Sequence, residues 1–280
     1  MKQRIITEER IRAFLRELWE NEKSPRTMEK YARDLRRFAA YAGECRINKE
    51  TVLAYKEHIG ESFAVSSANA TLAALNGFFR FLGWSDLCVR QFKMQRKVFC
   101  PEERELKKEE YLRLVRAAEK AGNERIALVL QTICGTGIRV SELAAVTVEA
   151  VKRGEAVVSC KGKTRTVFLV APLCKKLLRY VKERRIQSGP VFVTRSGRAL
   201  DRSNIWREMK ALCRAAQVNP HKVFPHNLRH LFARTFYQME RDIARLADIL
   251  GHSSINTTRI YMMSCGAEHR RRMEQMRLVS

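Results

Sequence analysis

The sequence predicts a mainly α-helical protein of two domains, with one small β-hairpin in the second. Three observations carry this expectation. At 280 residues the chain exceeds one average domain and can bury two cores. Apolar residues recur at three- and four-residue spacing through most of its length, the period of an amphipathic helix. The stretch from Val157 to Val170 instead reads as two strands about a Lys161-Gly162-Lys163 turn.

In the first domain, residues 7–21 place Ile11, Phe14, Leu15, Leu18 and Trp19 on one helix face. Ser24-Pro25 is a cap followed by a first-turn proline; it opens a helix with Met28, Tyr31, Leu35 and Phe38 apolar, ended by Gly43. A third helix runs from Asn48 or Lys49 to Ile59. A fourth runs from Val65 to Leu82, with Leu72, Leu75, Phe78 and Phe79 inside and Gly83 as stop. Four such helices make a small bundle over residues 1–90. Arg26, Arg33, Arg37 and Arg80, with Lys30 and Arg36, stud its polar faces.

Residues 91–105 mix charge, break periodicity and contain Pro101, as a linker does; Arg96 and Lys97 lie in it. The second domain, 106–280, opens with a helix from Leu106 to about Gly122. Ile126 to Cys134 is nearly all apolar and reads as a buried helix. It runs into Gly135-Thr136-Gly137, where two glycines allow a tight turn and Thr136 can cap the next helix. Arg139 emerges beside this turn, three residues before Glu142. After the hairpin come a basic helix from Leu173 to Arg185, a short strand Pro190–Thr194, and a helix from Asp201 to Ala216 bearing Arg202, Arg207 and Lys210.

The composition restricts the partner. Lys+Arg 54 against Asp+Glu 30 gives a formal charge of +24 and a pI near 10.2, which suits a polyanion. Nucleic acid is favoured over membrane, since no stretch approaches ~20 uninterrupted apolar residues. The N-terminal MKQRIITEERIRAFLREL lacks a secretory apolar core. The eight cysteines, at 45, 88, 100, 134, 160, 174, 213 and 265, form no C-x-x-C pair. That argues against a zinc site or disulfide framework and for a reducing cytoplasm.

The stretch Phe224–Tyr261 carries the chemistry. Pro225 suits a first helical position, and His226 and Arg229 then share a face near that helix's electropositive N-terminus. Ile243, Leu246, Ala247 and Leu250 form a second amphipathic run stopped by Gly251, and His252 sits just beyond. Ser253 or Ser254 can cap a last short helix from which Tyr261 projects.

His226-x-x-Arg229-His230, Leu250-Gly251-His252-Ser253 and Thr257-Thr258-x-x-Tyr261 together resemble the C-terminal signature of the tyrosine recombinases, or phage integrase family. TGIRVSEL, around Arg139, is similar to that family's first active-site box, and the N-terminal bundle resembles its SAM-like core-binding domain. The resemblance implies a site-specific recombinase that cuts and rejoins DNA through a 3′-phosphotyrosyl intermediate, with no cofactor. Tyr261 would be the nucleophile. Arg139 and Arg229 would neutralise the phosphate, His252 would donate to a phosphate oxygen, and His226 would take the tyrosine proton or support the phosphate. The hairpin would lower a general-acid lysine, Lys161 with Lys163 as its rival; Cys160 stands where the family commonly has glycine. Glu142 would fix Arg139, and His230 would be structural, bonded behind the site. Arg26, Arg33, Arg37, Arg80, Arg96, Lys163, Arg202 and Arg207 are the candidate DNA contacts.

The resemblance further implies a homotetramer on a double-stranded recombination site, with accessory DNA-bending proteins as possible partners. The basic helix Ala267–Leu278 would dock on a neighbouring protomer, and the length leaves no room for an additional arm-binding domain. Met262 and Met263 depart from the Xer-type pattern, favouring integration, excision or inversion over chromosome-dimer resolution. Two other classes compete. ARLADILGHSSINTTRIYM scans as a helix-turn-helix regulator, which leaves Arg139, His226 and Arg229 without purpose. A type IB topoisomerase would share the tyrosine chemistry, but a protomer-joining C-terminal helix favours the recombinase.

Overall fold

Helix starts follow local chemistry. The hydroxyl of Thr7 accepts the Arg10 N–H and opens α1 (Glu8–Glu20). Ser24 caps α2 (Pro25–Ala42) and Asn48 caps α3 (Lys49–Ser62), each accepting a backbone N–H three residues on. α4 spans Val65–Phe81. Phe14, Leu35, Phe38, Tyr55, Leu72, Phe78 and Phe79 meet in one core. Trp19 departs from expectation: it is 69% exposed, because the buried stripe of α1 is the narrower Ile11, Phe14, Leu18 set.

The structure is a computed structural model and describes residues 4–43, 46–94, 104–160, 163–194, 196–261, 270 and 273–276, without the side chains of Cys160 and Lys163. It divides into two compact units, Met1–Arg96 and Lys97–Ser280. The linker expected at 91–105 lies largely outside the described residues, as do Arg96, Lys97, Lys161 and most of the C-terminal helix expected at 267–278.

The second unit is built round α6 (Glu124–Thr136), whose Ile126–Leu130 run and Ile133 are buried between α5 (Lys108–Lys120), α8 (Ala171–Glu183) and α11 (Pro225–Glu240). α7 (Val148–Arg153) leads into β1 (Glu155–Cys160), which pairs antiparallel with β2 (Lys163–Phe168), Val158 opposite Arg165 and Cys160 opposite Lys163. Lys163 is thus a strand residue by register. The strand expected at Pro190–Thr194 is two isolated bridges, Thr147 to Pro190 and Val193 to Ala199, because neighbouring backbone there turns away after one pairing. The helix expected from Asp201 to Ala216 is broken at Leu212 into α9 (Arg202–Ala211) and α10 (Cys213–Ala216). α12 (Ile243–Leu250) and α13 (Ile255–Tyr261) complete the unit.

The turn after α6 also differs in detail. Gly135 and Thr136 stay helical, and Thr136 ends α6, its hydroxyl bonded back to Thr132 O rather than capping the next helix. Gly137 alone makes the turn, at φ +64°, and a Cβ there would lie 2.5 Å from the Phe232 ring. Gly137→Ala is therefore expected to lower the unfolding free energy by about 2–4 kcal/mol, from left-handed backbone plus overpacking, as read by urea denaturation.

Candidate active site

The site is assembled on helix ends. Past Gly137 the chain extends through Arg139 into a 3₁₀ turn, Val140–Ala145. Glu142 in that turn is buried, its side chain 3% exposed. Its carboxylate accepts the Arg139 N–H at 3.0 Å and the Arg139 guanidinium at 2.9 Å. The same carboxylate accepts Arg165, from β2, at 2.6 Å.

Arg229 points inward from the first turns of α11 and is only 2% exposed. It donates to Gly137 O at the end of α6, to Leu250 O at 2.6 Å, and meets His252 Nε2 at 3.1 Å. The C-terminus of α12 gathers all three arginines. Ile249 O accepts Arg165 at 3.2 Å, Leu250 O accepts Arg229, and Gly251 O accepts Arg139 at 3.2 Å. A helix C-terminus offers unpaired carbonyls and partial negative charge, so it can hold cations that would otherwise repel. With Asp248 exposed on the rim, three guanidiniums still outnumber the nearby carboxylates. The cleft that Arg139 and Arg165 line with His252, Ser253 and Thr257, about 490 Å³, is suited to an anion, and Arg229 is buried beside it.

Tyr261 does not project outward. It is 5% exposed, packed with Ala233, Leu246 and Leu250. Three imidazoles surround its ring. His230 stacks on it at 4.0 Å and 24°, while His226 and His252 lie 5.3 Å and 5.2 Å away, centroid to centroid. The expectation of His230 behind the site is corrected: residue 230 falls one position beyond Arg229, and the turn of α11 brings its ring against the phenol. Tyr261 lies near enough to Arg229 to raise the guanidinium pKa against the burial that lowers it.

Arg229 can only donate, so His252 Nε2 accepts from it and Nδ1–H donates to Thr258 Oγ1 at 2.9 Å. Arg229 thereby selects the tautomer, and the fully buried Thr258 hydroxyl accepts the remaining N–H. Burial first, then Arg229, Arg139 and Arg165, lowers the His252 pKa to about 4. Burial, His226 and Arg229 likewise push His230 to about 4. His226 is open to solvent on one side; crowding on the other, then Arg229, Arg139 and Arg202, lowers its pKa. Arg229 is lowered to about 10 by burial and by Arg139, and remains a cation at neutral pH.

These shifts make stability pH-dependent. Between the ordinary histidine value of 6.5 and about 4, the unfolded chain binds protons that folded His230 and His252 refuse. Unfolding free energy therefore falls as pH drops through that window. Tm is expected to decrease from pH 7 to pH 5, and His230→Asn to flatten the dependence, as followed by thermal denaturation.

Arg26, Arg33, Arg37 and Arg80 are exposed in the first unit, Arg37 lying 5.2 Å over the Phe63 ring. Arg36 is tied to Glu8, and Lys30 to buried Asp34. Arg202 and Arg207 are exposed on α9; Arg202 is near enough to His226 to lower its pKa, and Arg207 donates to Asn204 at 3.1 Å. Arg165 escaped the sequence reading, and Thr258, read there only as part of a motif, was given no role at the site. An arginine on the inward register of β2, in phase with buried Val167, was the available signal for the first. Among the described residues, no three His, Cys, Asp or Glu side chains gather to hold a metal, and no helix is long and apolar enough to cross a membrane.

Comparison with known proteins shows the family. Residues 104–266 match the Phage integrase family, and residues 11–86 the phage integrase N-terminal SAM-like domain. The chain belongs to the phage integrase family, the tyrosine-type site-specific DNA recombinases, and is an enzyme of that class. It is 28% identical over 265 residues to tyrosine recombinase XerA of Thermococcus kodakarensis, covering 92% of this chain and 91% of that protein. It is 29% identical over 208 residues to XerA of Pyrococcus furiosus, covering 72% and 71%. Its fold is similar to a lambda integrase tetramer bound to a Holliday junction, with TM-score 0.71, 17% identity, and 90% and 76% coverage.

Proposed function

We propose that this chain cleaves and rejoins one strand of a specific duplex DNA site through Tyr261. The observation that carries the reading is the Tyr261 ring held among His226, His230 and His252, beside the helix-end cluster that gathers Arg139, Arg229 and His252. A scissile phosphate entering this cleft replaces carbonyl partners of Arg139 and Arg229 with its own oxygens. Charge building on those oxygens then meets donors already in place.

The tyrosine oxygen attacks phosphorus and its proton passes to His226, whose neutral form is favoured by burial and by the surrounding cations. The bond from phosphorus to the 5′-oxygen breaks, and that oxygen takes a proton from Lys161, or from its rival Lys163. The phosphate's negative charge raises the affinity of His252 for a proton, turning Nε2 from acceptor into donor toward a phosphate oxygen. The 3′-phosphotyrosyl bond conserves the phosphoester, so the 5′-hydroxyl of a second strand reverses the step without ATP.

We assign residues 1–90, with Arg26, Arg33, Arg37 and Arg80, to gripping the duplex, and Arg202 and Arg207 to contacts near the site. A homotetramer on the paired sites, its C-terminal segments exchanged, is the working assembly; the lambda integrase tetramer on a junction supports it by analogy of fold. The setting is intracellular DNA, with integration, excision or inversion of a mobile segment as the outcome.

Product analysis tests this. Plasmids with two sites should yield deletions or inversions according to site orientation, whereas relaxation of one-site plasmids without exchange would identify a topoisomerase. DNA affinity should fall steeply with salt, about 10³-fold between about 50 and about 200 mM if six or so phosphates are contacted. Filter binding across that range checks it, and an unchanged affinity would remove the multi-phosphate grip.

A further inference from the structure

Arg165 lines the anion cleft but takes no step in the reaction above, and the fold holds it as an anchor. It faces inward from β2, opposite buried Val158. One terminal nitrogen donates to Ile249 O at 3.2 Å and the other to Glu142 at 2.6 Å. Its side chain is 13% exposed, against 30% for Arg139. Gly251 makes room for its stem: a Cβ at residue 251 would come within 2.5 Å of Arg165 Cδ and 2.7 Å of Nε. Gly251 is thus required by its φ of +64° and by the arginine crossing over it.

The sheet that Arg165 secures has only two strands. A hairpin of that kind is marginally stable by itself in water, so its tip is positioned only as well as its base is tied down. Arg165 lies two residues, about 7 Å, from the first residue of β2. It is bonded to α12 and to the 3₁₀ turn bearing Glu142, the two segments that also hold Arg139.

We propose that Arg165 is a positioning residue. It locks the β1–β2 hairpin to the C-terminal end of α12 and to Glu142, and so holds the hairpin lysine where it can protonate the leaving 5′-oxygen. The proposal rests on the reading that this lysine is the general acid. Without Arg165, Glu142 still accepts both donors of Arg139, so stabilisation of the phosphate survives while delivery of the proton suffers.

Leaving-group chemistry separates those two halves. A 5′-bridging sulfur departs as a thiolate that needs no proton, because a thiol is far more acidic than an alcohol. Nicked duplexes carrying a site selected by the wild-type protein from random-sequence DNA would be made with oxygen or sulfur at that position. Covalent-complex rates would be measured for wild type, Arg165→Ala, Arg165→Lys, Lys161→Ala and Lys163→Ala. Arg165→Ala should cleave the oxygen substrate on the order of 10²-fold slower, the lower end of what a positioned acid contributes. On the sulfur substrate it should regain nearly the wild-type rate. Arg165→Lys, which keeps the stem and one donor, should show a smaller defect of the same kind and stands in if the alanine variant fails to fold.

Wild-type rates on the oxygen substrate, or equal slowing on both substrates, would overturn the proposal. If a lysine variant is slowed on oxygen and recovered by sulfur while the Arg165 variants are not, the Arg165 proposal falls and the general-acid reading stands. If neither lysine variant shows that pattern, the general-acid reading falls and the proposal with it.

Discussion

Tyr261→Phe is expected to bind its DNA site with near wild-type affinity and to form no covalent protein–DNA product. The phenylalanine ring keeps the 4.0 Å stack on His230 and the packing against Ala233, Leu246 and Leu250. What disappears is the oxygen that attacks phosphorus, together with its electrostatic interaction with Arg229. Loss of one hydroxyl should cost no more than about 1 kcal/mol of stability, too little to unfold the domain, so a catalytic defect would not be a folding defect. The measurement is a nicked suicide duplex incubated with each protein and resolved under denaturing conditions. A covalent band persisting in the mutant would identify another nucleophile. Tight binding with no covalent band from either protein, on a verified site, would revive the regulator.

Arg229→Ala should fail twice over. Removing a preorganised donor from the developing phosphate charge costs on the order of 10²–10³ in rate. Removing this particular guanidinium also takes away the donor shared by Gly137 O, at the end of α6, and Leu250 O, at the end of α12. Two buried carbonyls left short and a side-chain-sized void should lower the unfolding free energy by about 2–4 kcal/mol. Relief of repulsion on Arg139 and Arg165 offsets part of that. Arg229→Lys keeps the charge but has no planar fork with which to bridge two carbonyls, so it should restore little activity. Urea denaturation and the rate of covalent-complex formation separate the two losses. A third readout is independent of both. The His252 pKa, held near 4 by burial and then by Arg229, should rise in Arg229→Ala, and NMR titration of its ring would show it.

Much of this molecule is written in short-range chemistry. Ser24-Pro25, Asn48 and Gly43 mark helix ends because capping needs only the residues within one turn. Pro225, Gly251 and the apolar spacing of α12 are legible for the same reason. Where short-range signals failed, packing had overridden them. Thr136 looked like a cap, yet its hydroxyl found Thr132 O inside a buried helix. Pro190–Thr194 has strand composition but finds only single-bridge partners. Trp19 has helical spacing but lies beyond the edge of the stripe its neighbours cover.

The candidate site divides along the same line. Residue types and motif spacing along the chain are enough to nominate Arg139, His226, Arg229, His252 and Tyr261, because each sits at a turn or helix end whose conformation is local. How they combine is not local. Arg139 reaches Gly251 O from 112 residues away, and Arg165 reaches Ile249 O from 84. The burial of Tyr261 against His230, the tautomer that Arg229 imposes on His252, and the gathering of three guanidiniums on one helix C-terminus all depend on how α6, α11, α12 and β2 pack. Helical periodicity says which face of a segment is buried and nothing about which carbonyl it will meet, so those contacts were decided by the tertiary structure alone.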